Sequence, residues 1–131
     1  MRPKRAASVG GRVSPFQLLL GLLLCAGCYS PTAVIPGERF VPPAEWRSWW
    51  LEMEACAHRA GAFDAVEWVE APDLGPQVLG RWTWRHAIYL TPFVLRVNLK
   101  ATVQHEMLHD LLGVDVPYGA PHPPEFARCG V

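Results

Sequence analysis

The pentapeptide His105-Glu106-Met107-Leu108-His109 constrains this chain more than any other stretch. On a helix, two histidines four residues apart leave the same face about one turn from each other. That is the spacing at which one Zn²⁺ takes two imidazole nitrogens from a single helix. Glu106 lies about 100° around the same helix, so it flanks such a metal without ligating it. A general base for a water activated there needs that position. A shuffled chain with the same 5 histidines would carry the pattern about once in a hundred sequences. The competing reading is two ordinary histidines on a core-facing helix.

The surrounding residues favour the helix. Leu99, Val103, Met107, Leu108, Leu111 and Leu112 supply an apolar helical surface, and Gly113 stands where a helix C-cap is expected. The pattern predicts a helix from Leu99 to Leu112 with Asn98 as its N-cap; a longer helix starting at Thr91-Pro92 is the alternative.

A catalytic zinc site usually takes three protein ligands and keeps one position for water. Downstream candidates for the third ligand are Asp115, His122 and Glu125. His122 fits best. It follows the turn-rich stretch Val116-Pro117-Tyr118-Gly119-Ala120-Pro121, which can bring the chain back over the helix. Pro123-Pro124-Glu125-Phe126 then starts a short helix whose Phe can anchor the segment in the core. Tyr118, in the turn before His122, is a candidate donor to a developing oxyanion or an ordinary turn tyrosine. Asp110 either orients an imidazole or is a surface carboxylate.

This stretch resembles the zinc-peptidase signature of the SprT-like and related small gluzincin-type families, in which a later G-H-x-x-x-F-type segment supplies a third histidine. The matching pieces are His105-Glu106-Met107-Leu108-His109 and Ala120-Pro121-His122-Pro123-Pro124-Glu125-Phe126, and the resemblance covers about a fifth of the 131 residues. Pro121 stands where the pattern has Gly. The metzincin spacing does not fit, because its Gly and His positions are Leu112 and Asp115 here. The resemblance implies a zincin-like α+β fold, one zinc per chain on His105, His109 and His122, Glu106 as catalytic base, and a peptide or protein substrate. It also implies a sheet whose edge strand lies above the active-site helix and takes up the substrate by backbone pairing, with residues 80–91 as the candidate.

The N-terminus reads as a targeting segment. Arg2, Lys4, Arg5 and Arg12 precede the apolar run Phe16–Ala26, too short to span a bilayer and of the right length for a secretory signal. Leu24-Cys25-Ala26-Gly27-Cys28 is similar to a bacterial lipobox, which implies removal of residues 1–27 and a lipid on Cys28; plain secretion is the alternative. The expected location is the bacterial cell envelope, the outer membrane or periplasm in a Gram-negative cell. Removing the leader takes four of the 12 basic residues and none of the 12 acidic ones, leaving a net charge of −4. That excludes a basic nucleic-acid surface. Cys56 and Cys129 then remain as an even pair in an oxidising compartment, which predicts one disulfide, with a zinc-binding pair as the alternative.

The expected organisation is a signal peptide over 1–27, an anchored tether with little regular structure over 28–41, and a single domain over 42–131, acting as a monomer. Pro42–Ala60 reads as a helix stopped by Gly61, its stripe Trp46, Trp49, Trp50, Met53, Cys56 and Ala57 facing the core. His58 beside the stripe reads as a surface histidine. Ala65–Ala71 reads as a strand, and 81–90 as one long bent strand or a tight pair, with His86 a solvated strand histidine. About three strands follow. Two rivals to a peptidase are a zinc-binding envelope lipoprotein without catalysis and an envelope interaction module built on the Trp-rich helix.

Overall fold

The computed structural model describes residues 34–131. The leader, Cys28 and the first part of the tether lie outside the described residues. From Ile35 onward the chain forms one compact α+β unit. Its strands are β1 (Glu38–Arg39), β2 (Glu67–Glu70), β3 (Gly80–Thr83) and β4 (Ala87–Leu90); its helices are α1 (Trp46–Ala57), α2 (Pro92–Val97), α3 (Lys100–Leu112) and α4 (Pro124–Cys129). Among the described residues no helix is long and apolar enough to cross a membrane.

The sheet is mixed, in the order β1-β2-β4-β3. It has four strands where about three were expected, because the tether contributes one. Glu38 and Arg39 pair antiparallel with Glu70 and Val69. The stretch 81–90 is a tight pair, with β3 antiparallel to β4 and β4 parallel to β2. β3 is therefore a free edge and β4 is interior.

Register decides what meets the helices. Trp68, Ile88 and Trp82 are cross-strand partners, so their side chains leave the same face as one row. All three are buried with Trp46, Trp50, Met53, Phe63, Leu90, Val94, Val103 and Met107 in the main core. The next row holds Leu90 opposite Gly80, so the edge strand presents no side chain to α3 at that point.

Helix α1 forms for the expected reason, with Trp46, Trp50, Met53 and Ala57 buried at three-and-four spacing. Its ends differ from expectation. The prolines precede the helix in a turn, with the Trp46 N–H donating to the Pro43 carbonyl at 3.0 Å. The left-handed cap is His58, at φ 54°, and not Gly61. Gly61 has another use. A Cβ there would lie 2.6 Å from Leu111 Cδ2 and 2.7 Å from Trp50 Cζ2, so only glycine lets the chain cross between α1 and α3.

Asn98 is not the N-cap of α3. It closes α2 in the left-handed conformation at φ 51°, and α3 starts at Lys100 with Leu99 as cap residue. Its side-chain oxygen accepts the Trp46 indole N–H at 2.9 Å, which satisfies a donor otherwise stranded in the core. Gly113 caps α3 as expected, its N–H shared between the carbonyls of His109 and Asp110. The Cys56–Cys129 disulfide ties α1 to α4 with Cα atoms 5.8 Å apart, so the pair is not a metal site.

Candidate metal centre

Helix α3 places His105 and His109 one turn apart, and the chain returns after Gly113 to bring His122 against both. The nearest ring nitrogens of the three histidines all lie within 4.8 Å of one another. Ring centroids are 5.0 Å apart for His105 and His109, 4.7 Å for His105 and His122, and 5.1 Å for His109 and His122. Phe126, the third residue of α4, backs all three rings at 4.9, 4.7 and 4.5 Å between centroids. The phenyl group is itself buried, so it forms an apolar floor under the cluster.

The donor set suits a metal. Three imidazoles converging from one side leave room for a further ligand, as an open zinc site requires. Tetrahedral coordination at 2.0–2.1 Å puts nitrogens roughly 3.4 Å apart, a small rotamer adjustment from the arrangement here. His109 has its tautomer fixed. Its Nδ1 pairs with the Val114 carbonyl at 2.8 Å, which assigns the proton to Nδ1 and leaves Nε2 to bind metal. Burial, then the neighbouring imidazoles of His109 and His122, hold His105 down to about 4. Burial first also lowers His109. Both rings are therefore neutral at pH 7, the form that ligates.

Glu106 lies under the edge strand, on the strand side of the same cleft. A Cβ on Gly80 would lie 2.8 Å from Glu106 Cγ and 2.9 Å from its Oε1, so the glycine is what lets the carboxylate sit there. Burial pushes the Glu106 carboxyl up to about 8, opposed in part by a hydrogen bond from the Trp82 backbone N–H and by the Arg81 charge. Only 6% of the residue is exposed. A buried carboxylate next to a histidine cluster is the combination expected at a functional site.

A cleft of about 580 Å³ opens over the cluster, lined by Gly80, Arg81 and Trp82 on the strand side and by His105, Glu106, His109 and His122 below. The segment Asp115–Ala120 forms the opposite wall. Tyr118 stands on that wall and is 81% exposed. Asp115 lines the cleft but is not part of the nitrogen cluster, and neither is Glu125. Of the three candidates for a third ligand, His122 is the one the fold brings into the nitrogen cluster.

Two residues stand differently from expectation. Asp110 is neither a surface carboxylate nor a partner of the clustered imidazoles. It is buried and accepts the Trp82 indole N–H at 2.6 Å, with His86 Nδ1 at 3.1 Å from the same oxygen. His86 is not a strand residue. It ends the three-residue turn between β3 and β4 at φ 57°. Two further contributors, Gly80 and the Phe126 floor, were not recognised as site residues from sequence. The glycine carried a signal, since glycine beside a strand pattern marks a close backbone approach. Compared with known proteins, the chain matches no protein-family model, no curated protein sequence and no solved structure.

Proposed function

We propose that this chain is a zinc-dependent metallopeptidase of zincin-like type, acting in the bacterial cell envelope. The observation that carries the reading is the convergence of His105, His109 and His122 beside a buried Glu106 that points at the same cleft. A site serving only to hold metal has no use for that carboxylate. The Trp stripe of α1 is core, which leaves the interaction-module reading without its surface.

His105, His109 and His122 would hold zinc through imidazole nitrogens. Zinc held there would supply a Lewis acid for a peptide carbonyl and would lower the pKa of water. Glu106 takes the proton of the attacking water as the water oxygen bonds to the carbonyl carbon. It then delivers that proton to the amide nitrogen as the C–N bond breaks. A dication nearby favours the ionised carboxylate, the form that accepts a proton. The close approach of the strand at Gly80 holds the carboxylate in place. The free edge of β3 offers backbone groups along which an extended peptide pairs as an added strand. Tyr118, on the loop wall, is the candidate donor to the oxyanion.

The decisive test compares zinc content and peptide hydrolysis of the purified chain with those of Glu106→Gln. The expected result is one zinc in both and hydrolysis in the parent alone. Hydrolysis preserved in the variant sinks the mechanism. Zinc without hydrolysis in the parent replaces it with a non-catalytic zinc-holding protein.

A further inference from the structure

Glu106 and Asp110 are four residues apart, so they project from the same side of α3, one turn from each other. Both reach the same residue of the edge strand. The Trp82 backbone N–H faces the Glu106 carboxylate and opposes the rise in its pKa, and the Trp82 indole N–H bonds to Asp110 at 2.6 Å. The indole plane lies 8° from that of His109, with centroids 6.3 Å apart. One residue of β3 is thus held to α3 through its indole, next to Gly80 where the strand lies against Glu106, and lies flat beside a ligand candidate.

β3 needs such a grip. It is an edge strand of four residues, bonded to a neighbour on one side only among the described residues. On its other side nothing in the ladder fixes its height above α3. The Asp110 carboxylate supplies that constraint from a buried position, where its bond to the indole is worth more than at the surface. We infer that Asp110 is a positioning residue: through Trp82 it fixes the β3 backbone over Glu106 and the indole beside His109. The part of this inference that concerns β3 and Glu106 stands without any metal; the part that concerns His109 rests on the zinc reading above.

The test uses the full chain and the variants Asp110→Ala, Asp110→Asn and Trp82→Phe. Asparagine keeps an acceptor oxygen for the indole, and phenylalanine keeps the apolar bulk while losing the indole N–H. Two quantities are measured: amide hydrogen exchange at position 82 and along β4 in metal-free protein, and zinc affinity by competition with a chromophoric chelator. Asp110→Ala and Trp82→Phe should each speed exchange at position 82 about tenfold while the interior β4 amides keep their protection. They should also weaken zinc by about 10- to 100-fold, the usual cost of losing a group that orients a ligand. The double variant should be no worse than the worse single one. Asp110→Asn should restore both readouts. Exchange at position 82 unchanged in Trp82→Phe overturns the inference, as does a uniform rise across the sheet, which is the mark of a merely structural role. If Asp110→Ala fails to fold, Trp82→Phe decides. A parent chain that binds no zinc removes the metallopeptidase reading, and the exchange at position 82 still decides the grip.

Discussion

The three histidines come from two very different pieces of chain. His105 and His109 stand on α3, whose backbone is hydrogen-bonded from within and whose residues Val103, Met107 and Leu108 are fully buried. His122 follows an exposed, turn-rich segment that holds Gly119 at φ 79° and closes one turn by a bond from the Ala120 N–H to the Pro117 carbonyl. What ties that segment down is the Val114 carbonyl on His109, Phe126 under the rings, and the disulfide at the end of α4. The helix half of the centre is preformed, and the loop half is held by a few attachments. If zinc binds as proposed, its affinity should be set by the first and adjusted through the second.

The largest expected effect separates the halves directly. His105→Ala and His109→Ala should each abolish tight zinc binding, because the loop ligand then has no preformed partner pair. His122→Ala should leave a weak two-histidine site, more than about 100-fold poorer than the parent but better than either helix variant. Isothermal titration with zinc checks the order. Equal losses in all three would break the comparison.

Phe126→Ala comes next. It removes the floor shared by all three rings, and a buried Phe→Ala change costs about 3–5 kcal/mol. The urea midpoint should fall accordingly, and zinc affinity with it. A loss of stability with unchanged zinc affinity would show that the rings do not depend on the floor.

The disulfide tests the loop half alone. It closes 73 residues of separation, for which the chain-entropy account gives about 4 kcal/mol. The double variant Cys56→Ala/Cys129→Ala should lose that stability and recover part of it when saturating zinc is added, since ligand binding to the folded state stabilises by mass action. No recovery with zinc would mean that α4 is not coupled to the metal.

The helix half predicts a pH profile for the metal-free protein. His105, held near 4 against an ordinary 6.5, binds its proton in the unfolded chain first, so stability is lost as pH falls from about 6.5 toward 4. Glu106 acts in the opposite direction. The unfolded chain releases its proton near 4.5 and the folded chain keeps it to about 8, so stability is lost as pH rises through that window. Thermal unfolding should therefore peak between about 5 and 7. Glu106→Gln should remove the alkaline decline and leave the acid one. A variant that keeps both limbs would place the alkaline group elsewhere.

How much of this was legible in the sequence follows the same division. Helix α3, its cap at Gly113, the Trp stripe of α1 and the disulfide were all readable, because local periodicity, a left-handed cap and cysteine parity each leave a mark in one stretch of chain. The third histidine was readable as a type and a place, with the fold needed to choose it over Asp115 and Glu125. The rest depended on long-range contact. Gly61 looked like a helix stop because nothing local reveals Trp50 and Leu111 pressing on it. Asn98 looked like an N-cap because its actual bond is to Trp46, more than fifty residues away. β1 was hidden in the tether because two residues paired at an edge have no pattern of their own.

The β3–β4 turn is the sharpest such case, and it yields the smallest prediction. No glycine or asparagine marks it, yet His86 takes the left-handed position that three-residue hairpin loops require. That backbone costs a non-glycine residue about 1 kcal/mol. The imidazole offsets it through Asp110, at 3.1 and 3.3 Å from its two oxygens. Replacing the ring by alanine keeps the cost and removes the offset, so His86→Ala should lose about 1 kcal/mol. His86→Gly removes both, so its urea midpoint should lie close to that of the parent. If alanine and glycine prove equal, the turn carries no backbone strain and the Asp110 contact is all that histidine contributes there.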